Sequence, residues 1–310
     1  MKIDHLQMRL LCEEINLPDE ITGQILQITG DCDFSDIEDH FNKLFSLETG
    51  DEAYEKIVSV LKENERSLKP LAVYVSAALT TWEMYKKLDI PRFIYIDTMK
   101  MFSRFVREHF ETYGFYGFDR DFWIHRILSA SLFRLGTLEF EMTRCTDNMV
   151  LDYAPNGEKI ISVHIPSDAS MTRENLNKSY EMANQFFDDY FPEYKNKIIY
   201  CRTWLLDPVL KDLLPAGSKI LEFQSDYKII KTTLEDSEFI SWVFKKNYDD
   251  YTMLPENTSL QRNMKKYLLS GGRISLATGI KKNNFLEAQN DEKPYRNNRK
   301  LDRKAECWFY

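Results

Sequence analysis

The sequence predicts an α+β protein in which an all-helical N-terminal half precedes a mixed β-sheet flanked by helices. Apolar residues recur at helical spacing from residue 1 to about 130, and the repeat then changes to the two-residue alternation of strands. The length of 310 residues also favours two domains, since a single core usually stops growing below this size. We predict a helical domain at residues 1–124, a sheet domain at 125–288 and a polar, partly disordered tail at 289–310.

Helical spacing is clearest over residues 68–88, and Asp89-Ile90-Pro91 ends this helix because the residue before a proline disfavours the α region. One further helix is predicted over 91–113, with Phe93 and Phe110 among its inward residues. Shorter helices are predicted around residues 3–15, 19–28, 36–47, 51–65 and 119–130.

Residues 132–142 alternate at period two and are predicted to form one strand. Residues 149–153 are a second, short strand, and the turn sequence at 154–157, which contains Asn-Gly, returns the chain into a third strand at 160–165. The remaining elements are predicted as a helix at 172–191, a strand at 197–206, a short helix ending at Leu214, a strand at 219–230, helices at 235–247 and 258–269, and a strand at 273–280.

Composition excludes several classes of protein. A net charge of −8 argues against a nucleic-acid partner, because an acidic surface repels phosphate backbones. The five cysteines are widely scattered without a CxxC pair, so neither a metal site nor a disulfide framework is predicted. Acidic residues interrupt the N-terminus and no apolar run reaches the length of a membrane span. We therefore expect a cytoplasmic protein without a membrane partner.

Known catalytic motifs are also missing from the sequence. It contains no Walker loop, no strand-linked GxGxxG, no GxSxG elbow and no HExxH. These absences argue against NTPases, nucleotide-linked dehydrogenases, α/β-hydrolases and zinc proteases.

Several short segments carry a resemblance to a known family. Together with the order of the elements, they resemble the GNAT acyltransferase fold, and in particular a bacterial family of acyltransferase domain proteins with a helical N-terminal part and a GNAT-like C-terminal part. The segments are Arg134–Glu141 (RLGTLEFE), Val163–Pro166 (VHIP), Trp204–Pro208 (WLLDP), Leu213–Ser218 (LLPAGS) and Ile220–Phe223 (ILEF).

The resemblance implies acyl-CoA or acetyl-CoA as co-substrate, held between two parallel strands that splay apart, here 160–165 and 197–206. Its pyrophosphate would lie on backbone N–H groups before the next helix, where the helix dipole favours anions. The family at large has a glycine-rich loop with a basic first residue there, whereas this sequence has small residues without glycine. Asp168 would oppose a pyrophosphate unless it turns away to cap the helix. The implied cofactor-binding residues are Ile165, Ser167, Asp168, Ala169 and Ser170.

His164 is the first candidate for catalysis. Along 160–166, Ile161, Val163 and Ile165 point to one face of the strand, so Ser162 and His164 point to the other. A histidine at the end of that strand suits a general base, since imidazole titrates near neutral pH. The alternative is a structural histidine that satisfies a backbone carbonyl.

Glu139 and Glu141 share one strand face and could orient a water, accept an amine proton or bind a cationic substrate. The alternative is a pair of salt bridges to Arg134 or Arg144. Trp204 and Tyr180 are candidates for the wall of a substrate pocket, although core packing is the commoner role of such residues.

The function that we predict is transfer of an acyl group from acyl-CoA to an amine or another nucleophilic group of a small molecule. His164 is the predicted base, assisted by Glu139 or Glu141, and the helical half is predicted to cover the acceptor side of the groove. The alternative is a non-catalytic module that kept a GNAT-like scaffold and binds a small ligand or a protein partner.

Overall fold

The structure, a computed structural model, describes residues 3–146, 153–234 and 238–282. Helical spacing correctly predicted the helices of the N-terminal half, with one exception. They are α1 His5–Glu14, α2 Asp19–Asp31, α3 Glu38–Lys43, α4 Gly50–Leu61, α5 Lys69–Lys87, α6 Arg92–Met99, α7 Met101–Tyr113 and α8 Ile124–Leu128.

The exception is the single helix predicted over 91–113, which the structure divides into α6 and α7 at Lys100. Phe93 and Phe110, predicted to point inward, are 56% and 43% exposed. Met99, Phe102 and Val106, also predicted to point inward, are buried, together with others that include Ile94 and Phe105. Periodicity alone does not reveal such a break, because both pieces keep apolar residues at helical spacing.

The C-terminal half is a six-stranded sheet in the order β1-β2-β3-β4-β6-β5, flanked by helices. Among the strands that the structure describes, β3 and β4 are parallel and every other neighbouring pair is antiparallel. The strands are β1 Leu132–Leu135, β2 Leu138–Arg144, β3 Lys159–His164, β4 Ile199–Thr203, β5 Tyr227–Thr233 and β6 Leu276–Lys281. The helices are α9 Arg173–Tyr190, α10 Leu210–Leu213, α11 Lys219–Ser225, α12 Glu238–Phe244 and α13 Ser259–Leu269.

The single strand predicted over 132–142 is wrong, because these residues form the hairpin β1–β2. Leu135 pairs with Leu138 across a two-residue turn, in which Gly136 adopts a φ of 71°. Glycine reaches this left-handed conformation without the steric cost that a side chain adds. The two-residue alternation continues through the turn, so it hides the reversal of the chain.

A second correction concerns the strand predicted over 219–230. Residues 219–225 form helix α11, which begins after the N-cap Ser218, and β5 starts only at Tyr227. The strand predicted over 197–206 ends at Thr203 and continues as a 3₁₀ turn, Trp204–Leu206. Residues 149–152 of the predicted second strand and the whole tail at 289–310 lie outside the described residues.

The sheet lies between two helical layers. Arg104 of α7 and Arg126 of α8 contact the glutamates of β2, whereas Tyr180 of α9 contacts Phe140, which points to the opposite face. One continuous cluster of buried apolar residues extends from α1 through the sheet to α9 and β6.

The domain boundary at residue 124 stays a prediction. Within the described ranges, no helix combines the length and the hydropathy that a membrane crossing needs.

Candidate active site

A cavity opens where β3 and β4 separate. The two strands pair only at Ile161–Ile199 and Ser162–Tyr200, and the chain beyond these positions diverges. The cavity has a volume of about 330 Å³ and is lined by the ends of both strands, by the loop that follows β3 and by residues of α7 and α12. The parallel pair β3–β4 therefore provides an open, partly apolar site between the helical half and the sheet.

His164 lies at the end of β3 and lines this cavity. Its side chain is 24% exposed, and its Nε2 lies 2.7 Å from Oε2 of Glu141. The Trp123 ring contacts the imidazole edge to face, with ring centroids 4.8 Å apart. Arg126 contacts both Glu141 and Trp123. Its Nε lies 3.2 Å from Oε1 of Glu141, and its guanidinium lies over the Trp123 ring, 4.9 Å from the ring centroid. The imidazole is thus held in one orientation.

Glu141 is suited to hold His164 because it stays ionised. Burial by itself would raise the pKa of this carboxyl group, but the hydrogen bond from His164 and the charge of Arg126 lower the pKa below its ordinary value. A carboxylate is purely a hydrogen-bond acceptor, so Nε2 of His164 carries the proton in this pair. The other ring nitrogen, Nδ1, then has the free lone pair.

Glu139, which shares the strand face with Glu141, lies in a different environment. It is 3% exposed, and its Oε1 lies 3.1 Å from both terminal nitrogens of Arg104 and 3.8 Å from Nη1 of Arg134. Of the two arginines proposed as structural partners, Arg134 contacts Glu139, and Arg144 donates instead to the carbonyl of Gly157. Glu139 thus lies directly opposite His164 in the pairing of β2 with β3 and lines the same cavity, but it is engaged by arginine, and the carboxylate hydrogen-bonded to the histidine is that of Glu141.

Asp168 is turned towards arginine rather than into a helix cap. Its Oδ1 lies 2.9 Å from Nη1 of Arg134 and 3.4 Å from Nη1 of Arg104. Burial opposes the charge, yet these two cations lower the pKa of Asp168 below its ordinary value. The cap of α9 is Thr172, which accepts from the backbone N–H of Asn175. The negative charge of Asp168, which would otherwise repel a phosphate at this loop, is thus neutralised by Arg104 of the helical half and by Arg134 of β1.

The loop after β3 presents backbone and small side chains to the cavity. Ile165, Ser167 and Ala169 line it directly. The Ser170 hydroxyl accepts from the side-chain amide of Asn175, 2.8 Å away, and the Ser167 hydroxyl donates to Glu108. The loop is compact without glycine, since the Ala169 N–H donates to the carbonyl of Pro166 at 2.9 Å.

The two predicted pocket residues lie in different places. Trp204 lines the His164 cavity from the end of β4. Tyr180 is 6% exposed on the other side of the sheet, where its hydroxyl lies 2.7 Å from that of Tyr227. It borders a separate, polar cavity of about 450 Å³. The structure brings Trp204, but not Tyr180, to the histidine.

The lining residues that were missed in the sequence include Arg104, Phe105, Trp123 and Trp242. The first three belong to the helical half and approach His164 through the packing of the two halves. Trp242 reaches the cavity from α12, with its ring 5.0 Å from the guanidinium of Arg120. Short-range patterns along the chain contain no signal for such contacts.

The buried His125 makes stability depend on pH. Burial, together with the charge of Arg126, lowers the pKa of His125 to about 4, and Asp51 lies 3.2 Å from its Nδ1 without the alignment of a hydrogen bond. The unfolded chain takes up this proton near the ordinary value of about 6.5, so stability falls as the pH drops from there towards 4. We expect a loss of about 2 kcal/mol between pH 7 and 4.5.

Denaturant unfolding at the two pH values measures this loss. His125→Gln should flatten the pH dependence, and the same change at the exposed His5 should leave it unaltered. An equally steep dependence in His125→Gln would assign the loss to other groups.

Comparison with known proteins identifies the class of the chain. Residues 7–130 match the N-acyltransferase N-terminal domain, and residues 132–281 match the GNAT-like C-terminal domain. The fold therefore has the architecture of an N-acyltransferase. The two halves of the chain thus belong to these two domain families, which confirms the predicted combination of an acyltransferase-type helical part with a GNAT-like part and the predicted fold class.

Solved structures share this architecture at low sequence identity. A crystal structure of an acyltransferase in complex with decanoyl-CoA and teicoplanin has a TM-score of 0.68 and 21% identity, covering 88% of this chain and 86% of that one. Another, of an acyltransferase in complex with decanoyl-CoA, has a TM-score of 0.71 and 19% identity, covering 90% and 88%. At this identity the likeness shows the fold. No curated protein matches the sequence.

Proposed function

We propose that the protein transfers an acyl group from acyl-CoA to an amine of a small-molecule acceptor, with His164 as general base. The observation that carries this proposal is the His164–Glu141 pair, 2.7 Å apart, at the point where β3 leaves β4. Ionised Glu141 fixes the imidazole with Nδ1 available as a base, and the imidazole lines the cavity between the strand ends.

In the proposed reaction, the acceptor nitrogen attacks the thioester carbonyl directly. The C–N bond forms, the C–S bond breaks, and the proton from the amine passes to Nδ1 of His164. The imidazolium, stabilised by Glu141, then returns that proton to the leaving CoA thiolate, so that amide and CoA thiol are released. Direct attack involves no covalent cysteine intermediate, and among the described residues no cysteine lines the cavity.

Backbone and apolar groups fit the donor. Beyond Ser162 and Tyr200, β3 and β4 no longer pair with each other, and we place the pantetheine arm in this gap, where its amides would hydrogen-bond to strand backbone. Apolar side chains that include Phe105, Trp204 and Leu276 surround the cavity and suit an acyl chain. The acyltransferases of similar fold, with decanoyl-CoA or octanoyl-CoA bound, support a medium-length chain in this protein too.

The test of this function combines binding with turnover. We expect acetyl-, octanoyl- and decanoyl-CoA to raise the melting temperature, because a ligand that binds only the native state stabilises it. Release of free CoA thiol in the presence of an amine then measures transfer. A wild-type protein that none of these donors stabilises would favour the alternative, a non-catalytic module on the same scaffold.

A further inference from the structure

The side chain of Asp168 turns away from the cavity that its neighbours in the loop after β3 line. Ser167 and Ala169 are among the described residues that line this cavity, and Asp168 is not. Oδ1 of Asp168 instead lies 2.9 Å from Nη1 of Arg134 in β1 and 3.4 Å from Nη1 of Arg104 in α7. The carboxylate therefore ties the loop to two elements outside it.

Both arginines are fixed by further contacts. The side chain of Arg104 is 11% exposed, and both of its terminal nitrogens donate to Oε1 of Glu139 at 3.1 Å. The side chain of Arg134 is 12% exposed, and its Nε donates to the carbonyl of Gly136 at 2.9 Å. An ordinary surface ion pair loses stability because two long side chains must be ordered to form it. Here the two cations are already ordered, so pairing with Asp168 mainly orders the loop.

The same contacts connect the loop with the strand of the proposed base. Glu139 lies opposite His164 in the pairing of β2 with β3, and Arg104 contacts both Glu139 and Asp168. The ion pairs of Asp168 thus relate the position of the loop to the position of the histidine.

The backbone of the loop is restrained from inside as well. The Ala169 N–H donates to the carbonyl of Pro166 at 2.9 Å, and the Ser167 hydroxyl donates to Glu108 of α7. A loop whose backbone N–H groups receive a phosphate binds it more tightly when the loop is ordered before the ligand arrives. Order in this loop therefore favours the donor, even though a carboxylate contributes to it.

We propose that Asp168 is a positioning residue for the acyl donor. Its ion pairs with Arg104 and Arg134 hold the loop backbone where the phosphates of the donor bind, and the carboxylate itself does not contact them. This inference rests on the proposed function, because it assigns a role in donor binding to a residue whose charge alone would oppose the donor. The two effects of Asp168 have opposite signs, so a substitution separates them.

Asp168→Ala removes the ion pairs together with the charge. If repulsion of the phosphates were the larger effect, this variant would bind decanoyl-CoA more tightly than the wild type does. We expect it to bind decanoyl-CoA about 10-fold more weakly in a calorimetric titration, because the loop loses charge-assisted hydrogen bonds. Asp168→Asn keeps one acceptor oxygen and should lie between the wild type and Asp168→Ala.

Glu174→Gln is the matched control, since it removes the same charge from an exposed position in the first turn of α9. It should bind decanoyl-CoA at least as tightly as the wild type. The double variant Arg134→Gln/Asp168→Ala should lose less affinity than the product of the two single losses, because both changes break the same contact. Melting curves without ligand show whether each variant is folded.

A second measurement requires no ligand. Amide hydrogen exchange at Ala169 should be faster in Asp168→Ala than in the wild type, because a loop without its ion pairs opens more often. Exchange at Ala183, which is buried in the middle of α9, should not change.

Decanoyl-CoA binding by Asp168→Ala that equals or exceeds that of the wild type would overturn the inference, and so would unchanged exchange at Ala169. Losses that simply multiply in the double variant would also contradict it, since Asp168 would then act independently of Arg134. Failure of the proposed function has a different signature, namely a wild-type protein that neither binds acyl-CoA nor releases CoA. Faster exchange in the variant of such a protein would make the ion pairs structural and remove their role in donor binding.

Discussion

His164→Ala should lower turnover by about two to four orders of magnitude, the usual contribution of a general base, while acyl-CoA affinity changes little. The imidazole is held by Glu141 and Trp123 at the edge of the cavity, so its loss removes the proton acceptor without opening the core. Turnover per folded molecule, measured beside a melting curve, checks this expectation.

The matched control is His5→Ala, an exposed histidine of α1, which should leave turnover at the wild-type value. A structural histidine predicts the reverse pattern for His164→Ala, with earlier melting and normal turnover in the molecules that stay folded. That result would remove His164 from the mechanism. Glu139 would be a poor replacement, because Arg104 and Arg134 already neutralise it.

Ala169→Glu should abolish the stabilisation by acyl-CoA and leave the fold intact. Ala169 is partly exposed in the loop that lines the cavity, so a longer anionic side chain fits sterically but repels a phosphate brought close to the backbone. Thermal shift with decanoyl-CoA measures the effect, which we expect to be a complete loss at concentrations that saturate the wild type.

Ala216→Glu adds the same charge at an exposed position between α10 and α11 and serves as the control. It should respond to decanoyl-CoA as the wild type does. Equal shifts in Ala169→Glu and wild type would place the donor's phosphates elsewhere than on the loop after β3.

Periodicity predicted the fold class because each half buries a face whose repeat is visible along the chain. It failed at Gly136, where the alternation continues through a turn, and at residues 219–225, where a short helix precedes a strand. Short elements of this kind contain too few repeats to distinguish a helix from a strand. Tertiary packing and capping, here by Ser218, decide between them.

The candidate site was partly predictable because the alternation of strand residues is also visible along the chain. Strand alternation placed His164 and the glutamates on one face, and the register of β2 and β3 brings them together. Which glutamate contacts the histidine depends on Arg104 and Arg126, since each arginine engages a different carboxylate. These arginines lie in helices distant in sequence from the strands, and no local pattern connects them.

The continuous core between the two halves limits how modular the protein can be. Helix α7 lines the His164 cavity with Arg104 and Phe105 and buries Phe102 and Val106 in the shared core. Exchanging the helical half for that of a relative would therefore exchange half of the core as well, and the new surfaces would have to repack around the cavity.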